Sequence, residues 1–146
     1  SAYIRQQGLE QNVKCLGHRK DAERLIALAD ICVLSSSQEG LPRVVVQYVA
    51  GGKPVVVADL PGIAEIVRHG ENGIVTSAAD VAQMGPVMAE LLQDRTKLER
   101  LAAGSRAFDT SSWSTEAMCR KVEAICQQQL DTARARSSRR PVRAAH

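Results

Sequence analysis

The stretch Ile31–Val57, ICVLSSSQEGLPRVVVQYVAGGKPVVV, decides the fold. It opens on Ile31-Cys-Val-Leu34, a continuous apolar run suited to a strand buried on both faces. Ser35 to Gly40 is a polar loop. A helix is predicted from Pro42, where a missing N–H costs nothing, to Ala50, and Gly51-Gly52 end it. Pro54-Val-Val-Val57 is the next strand. Strand, helix and strand in this order make a βαβ unit, whose right-handed crossover joins parallel strands.

The alternation continues on either side. Upstream, Asn12–Gly17 reads as a short extended run, and Asp21–Ala29 as a helix with Asp21 at its N-cap. Downstream, Pro61-Gly62 turns into a helix over Ile63–Arg68, His69–Gly73 is a turn, and Gly73–Thr76 is a strand. Beyond Thr76 only helical periodicity remains. It covers Ala79–Gln93, where Gly85-Pro86 must kink or interrupt it, then Arg95–Phe108, then Ser114 to about Leu130. The fold class implied is α/β, a doubly wound parallel sheet with a helical C-terminal segment.

Composition agrees. The chain is 45% hydrophobic and 24% charged, but only 3% aromatic, so its core must be built from Val, Leu, Ile and Ala. The net charge of +3 is an average over two unlike parts. Arg134, Arg136, Arg139, Arg140 and Arg143 fall in the last stretch; without them, fourteen basic residues face sixteen acidic ones. A slightly acidic body with a basic tail is not a specific nucleic-acid binder. The expected organisation is one domain over residues 1–133 and an Arg-rich tail over 134–146. The tail reads as disordered and solubilising, with weak contact to an anionic membrane surface as the alternative.

Cys15, Cys32, Cys119 and Cys126 form no metal-ligand spacing and are expected to be small buried hydrophobes in a reducing compartment. No apolar run is long enough to span a bilayer. A cytoplasmic location follows, peripheral to the inner membrane face if the tail makes contact. The first residue, Ser1, is a hint that the chain is part of a longer protein.

In open α/β sheets ligands bind beyond the carboxyl ends of the strands, in the loops that lead into helices. Three loops qualify: Gly17–Asp21, Ser35–Pro42 and Asp59–Glu65. The second carries the most chemistry. Gly40 lets a ligand approach the backbone, and the helix after Pro42 starts with amides that attract an anion, a phosphate above all. Glu39 stands on the loop and Gln47 about one and a half turns along the helix, so one elongated ligand could reach both. The blander alternative is that Glu39 caps the helix and Gln47 is an ordinary surface residue. Asp59 and Glu65 read as caps rather than cleft residues, His69 as a turn residue, and Trp113 as packing. Neither a nucleophile elbow nor a dinucleotide fingerprint is present.

The segments Leu16–Asp21, Ala29-Asp30, Ser35–Gln47, Ala50–Val57 and Gly62–Glu65, in this order and spacing, resemble the C-terminal half of family-4 glycosyltransferases. These are retaining enzymes with the two-Rossmann-domain GT-B fold, and the likeness covers about residues 8 to 130. It implies a hexosyltransferase that uses a UDP- or GDP-linked sugar, with no further cofactor and no metal. It implies that Glu39 contacts the donor sugar and stabilises its positive charge. Gly40, Leu41, Pro42, Arg43 and Val44 would hold sugar and diphosphate, Gln47 the ribose, and Gly17, His18, Arg19 and Asp21 the nucleobase.

Three departures qualify the likeness. Residue 47 is Gln where the family motif has Glu. The Arg and Lys that clamp the diphosphate in the family would lie upstream of Ser1, as would the N-terminal acceptor domain. The chain alone is therefore expected to be inactive. The alternatives are a non-catalytic nucleotide-sugar-binding module and another GT-B enzyme, such as a nucleotide-sugar epimerase.

Overall fold

Val55, Val56, Val57 and Ala58 have no solvent exposure at all. Successive side chains of a strand point to opposite faces, so the sheet is covered on both sides at this strand. The computed structural model describes residues 2–40 and 42–138. In chain order its elements are α1 (Ala2–Gln6), α2 (Ala22–Leu28), β1 (Cys32–Leu34), α3 (Arg43–Ala50), β2 (Val55–Ala58), β3 (Gly73–Thr76), α4 (Met84–Gln93), α5 (Arg95–Ala107) and α6 (Thr115–Ser138). Short 3₁₀ turns occupy Ile63–Glu65, Val81–Gln83 and Ser111–Trp113. The three strands form one parallel sheet in the order β1-β2-β3, with Cys32 opposite Val55 and Val55 opposite Gly73. The α/β class and the parallel sheet are those expected.

The local reasons are visible residue by residue. Helix α3 buries Val45 and Val49, four apart, and exposes Arg43, Gln47 and Ala50 on another face. Its end is a Schellman motif: Gly52 takes a left-handed φ of 68°, its N–H bonds the Val49 carbonyl, and the Lys53 N–H reaches the Tyr48 carbonyl. Strand β3 starts on Gly73 because a Cβ there would lie 2.5 Å from the Val55 carbonyl oxygen. The core joins α3 and β2 to Ile63, Ile66, Leu91 and Leu101.

Several boundaries differ from expectation. Asn12–Gly17 is not a strand. Among the described residues the sheet ends at β1 and no strand pairs with this run, and Val13 and Leu16 are 43% and 52% exposed. The expected helix over Ile63–Arg68 shrinks to the 3₁₀ turn. Gly85-Pro86 falls in the first turn of α4, where proline removes no helical bond, so the break becomes a helix start. Helix α6 continues past Leu130 to Ser138, which makes the first residues of the Arg-rich stretch helical; Arg139, Arg140 and Arg143 lie outside the described residues.

The cysteines also need correction. Cys32 is buried in the sheet, but Cys15, Cys119 and Cys126 are exposed. Cys15 sits in the run that failed to pair, and α6 buries only Ala117, so residues 118 to 135 are exposed, Met118 and Lys121 bordering a surface cleft. Among the described residues no helix is long and apolar enough to cross a membrane.

Candidate functional site

The loop from β1 to α3 leaves the carboxyl end of an edge strand and carries Glu39 half-buried at its centre. The Ser36 hydroxyl donates to Glu39 Oε1 at 2.8 Å and fixes the carboxylate on the loop. Glu39 therefore does not cap α3. The cap position is Pro42, which has no side-chain acceptor to offer, so the first turn begins uncapped by any side chain. Leu41 lies outside the described residues. Gly40 is exposed, and no residue beyond its chain neighbours comes within 4 Å of where its Cβ would stand, which leaves room for a ligand on that side.

Arg43 and Gln47, one turn apart on α3, line a cleft of about 590 Å³. The opposite wall comes from the 3₁₀ turn before α6 and from α6 itself, with Thr110, Ser112, Trp113 and Lys121 among its residues. Trp113 is half-buried against the core, as its packing reading requires, yet its surface also faces this cleft. Val44 lines a second, apolar groove with Tyr48 and α2, and Gln47 borders that groove as well as the cleft. So the structure brings Arg43 and Gln47 together, sets Glu39 and Gly40 at the head of the same helix, and places Val44 in the second groove.

The Gly17–Asp21 loop is not part of the cleft. Gly17 takes a φ of 65°, which makes the turn. Arg19 and Asp21 hold each other in a two-pronged ion pair of 2.8 and 2.7 Å. That pair keeps Asp21 below the usual carboxylate range and Arg19 above its own. It also corrects the expected cap: Asp21 stands at the N-cap of α2, but its carboxylate is engaged by Arg19 and bonds no helix amide. His18 is exposed.

At the ends of β2 and β3, Asp59, Thr76 and Ser77 line a shallow polar pocket of about 410 Å³. Neither Asp59 nor Glu65 caps the 3₁₀ turn, whose first residue follows Gly62. His69 is a turn residue: its Nδ1 accepts the Val75 N–H at 3.1 Å. The sequence pattern does not single out Ser36, although it stands three residues before Glu39, or Lys121, which lines the cleft from far along the chain from α3.

The model of the family described as "Glycosyl transferases group 1" matches residues 1–94. The chain belongs to this glycosyltransferase family. It is 33% identical over 114 residues to the phosphatidyl-myo-inositol mannosyltransferase of Mycobacterium leprae, covering 75% of this chain and 30% of that protein. It is 36% identical over 90 residues to a D-inositol 3-phosphate glycosyltransferase of Thermobispora bispora, covering 61% of this chain and 21% of the relative. Among solved structures, Anabaena Alr3699/HepE in complex with UDP-glucose superposes with a TM-score of 0.73 at 29% identity, covering 84% of this chain and 35% of that one. The chain thus spans a third or less of the length of these proteins and about a third of the matched structure.

Proposed function

We propose that this group 1 chain is the donor-binding half of a retaining, family-4 type glycosyltransferase that moves a hexosyl group from a nucleotide diphosphate sugar to an acceptor hydroxyl. The observation that carries the reading is the pairing of a positioned carboxylate, Glu39, with the uncapped start of α3 at the carboxyl end of β1. A developing positive charge at the sugar needs a nearby anion, and a departing diphosphate needs amide donors and a positive helix end. In this reading Glu39 faces the sugar, the backbone from Gly40 to Val44 cradles the diphosphate, and Gln47 bonds the ribose. The nucleobase lies against Gly17–Asp21. The likeness to a protein solved with UDP-glucose supports a uridine donor ahead of a guanosine one. Donor binding is read as independent of metal, and transfer as requiring a second, acceptor-binding domain of the kind that fills out the relatives' length.

Calorimetric titration with UDP, UDP-glucose and GDP-mannose tests donor binding, with and without a chelator. Binding of a uridine ligand in the chelated sample is expected. A flat trace for all three ligands would overturn the reading, whereas release of free nucleotide without any glycosylated product would move it to another GT-B reaction. Retention is tested separately, by the anomeric configuration of the product of the enzyme joined to its acceptor domain.

A further inference from the structure

Asn72–Gly73 is the only Asn-Gly pair of the sequence, and the fold demands both residues. Asn72 is buried, its side chain accepting the Arg68 N–H at 2.7 Å and donating to the Ile66 carbonyl at 2.9 Å. Gly73 stands where a Cβ would meet the Val55 carbonyl oxygen at 2.5 Å and a Val67 methyl at 2.7 Å. Packing therefore fixes a pair that is chemically labile. No Cβ shields the glycine nitrogen of such a pair, and a free backbone turns easily enough to bring that nitrogen onto the asparagine Cγ. The reaction forms a bond between Gly73 N and Asn72 Cγ and breaks the bond from Cγ to Nδ2. Nδ2 leaves as ammonia with the Gly73 proton, and a succinimide ring remains. Water then opens the ring at either carbonyl, giving aspartate or isoaspartate.

The folded chain opposes each movement that this needs. Both ends of the Asn72 amide are bonded, so Cγ is held in place. The Ser105 hydroxyl of α5 is shared between the Asn72 carbonyl at 3.1 Å and the Lys53 carbonyl at 2.8 Å, which opposes rotation of the peptide between residues 72 and 73. Gly104 lies so close to the turn that a Cβ there would overlap the Glu71 carbonyl oxygen and stand 3.3 Å from the Asn72 Cα. Helix α5 is a clamp on the backbone of this turn.

We propose that Asn72–Gly73 is a latent modification site gated by α5. While the clamp is down, deamidation is suppressed; when α5 lifts, the ring forms, and its product keeps the turn from closing again. That product carries a carboxylate where the Ile66 carbonyl needs a donor, in a buried position. Isoaspartate also lengthens the backbone by one carbon just before β3. The gate lies in α5 and the turn, so it operates whichever ligand the chain binds.

The test ages the 146-residue chain at mildly alkaline pH and follows conversion of the Asn72 amide to an acid by peptide mass spectrometry. Slow conversion is expected in buffer and fast conversion in urea, which exposes the unprotected pair. Ser105→Ala should convert roughly fivefold faster than wild type in buffer, because losing one hydrogen bond raises the open fraction by about that factor. Ile26→Val thins the core at α2 instead, and should lower the urea midpoint without changing the rate. The converted fraction, separated by ion exchange, should melt below fresh protein. Equal rates in buffer and urea, or in Ser105→Ala and wild type, overturn the proposal. So does equal acceleration by Ile26→Val, since global unfolding and not α5 would then be the gate. A converted fraction as stable as fresh protein overturns it too, because the turn would then close again.

Discussion

The hydroxyl of Ser36 holds the carboxylate of Glu39 at 2.8 Å, across three residues of one loop. This is a local bond, so it orients Glu39 before any ligand arrives. Glu39→Ala should reduce transfer by the complete enzyme by at least a hundredfold, the scale on which removal of one electrostatic stabiliser acts. Ser36→Ala should act through Glu39 and cost about 0.5–1.5 kcal/mol, a two- to tenfold fall in kcat. Because Ser36 positions and does not bind, the donor KM should stay level, and an equal rise in KM would refute that role.

Gln47 offers an amide oxygen where the resembled family has a carboxylate. A hydrogen bond to a charged group exceeds a neutral one by about 1 kcal/mol, so Gln47→Glu should tighten UDP binding roughly fivefold. The side chain is exposed on α3 and its replacement disturbs no packing. Calorimetry on the two proteins decides the matter, and weaker binding in the variant would mean that Gln47 does not face the ribose.

How far the sequence could be read depends on where each residue's partners lie. The runs around Val55–Ala58 and Gly73–Thr76 are strands because β-branched or apolar residues are buried there, and burial leaves its mark on composition. Asn12–Gly17 carries a similar mark and fails, because a strand needs a neighbour and pattern alone cannot supply one. The same distinction divides the site. Glu39, Gly40 and the start of α3 are adjacent in the chain and were legible as a unit. The meeting of Arg43 and Gln47 with Trp113 and Lys121 joins residues more than sixty positions apart, and no local spacing encodes it.

Thiol chemistry follows the same geography. Burial pushes the Cys32 thiol above its usual range, with Lys53 opposing that only in part, so its reactive thiolate is scarce as well as shielded. Cys15, Cys119 and Cys126 are exposed. A colorimetric thiol reagent at neutral pH should therefore modify three thiols quickly and the fourth only once urea unfolds the sheet. Four equal rates would contradict the packing of β1.

Acid should destabilise the chain through two carboxylates. Arg19 lowers the Asp21 value, and the backbone N–H and hydroxyl of Ser111 lower that of Asp109. A depressed folded-state value contributes stability above the ordinary aspartate range, about 3.9, and loses it as pH falls through the folded value. Asp109 is exposed and Asp21 about one-third exposed, so solvent screening keeps the effect small. Asp109→Asn should flatten the decline of the melting temperature below about pH 4, and a steeper decline would reverse the assignment.

The strongest structural test lies at Asn72, which is 2% exposed between β3 and the turn before it. Its side chain accepts the Arg68 N–H at 2.7 Å and donates to the Ile66 carbonyl at 2.9 Å. The Ser105 hydroxyl of α5 is shared between the Lys53 carbonyl at 2.8 Å and the Asn72 carbonyl at 3.1 Å, which ties the turn to the helix. Asn72→Ala removes both side-chain bonds and strands a buried carbonyl, a cost of about 2–4 kcal/mol. Asn72→Asp keeps the acceptor toward Arg68 but loses the donor toward Ile66 and places a carboxylate in a buried position, so it should be at least as damaging. Ser105→Ala leaves the Asn72 side chain untouched and should cost about 1 kcal/mol. Urea unfolding should rank the midpoints wild type, Ser105→Ala, then the two Asn72 variants, with similar slopes. If Asn72→Asp were as stable as wild type, the donor bond to Ile66 would not be what closes this turn.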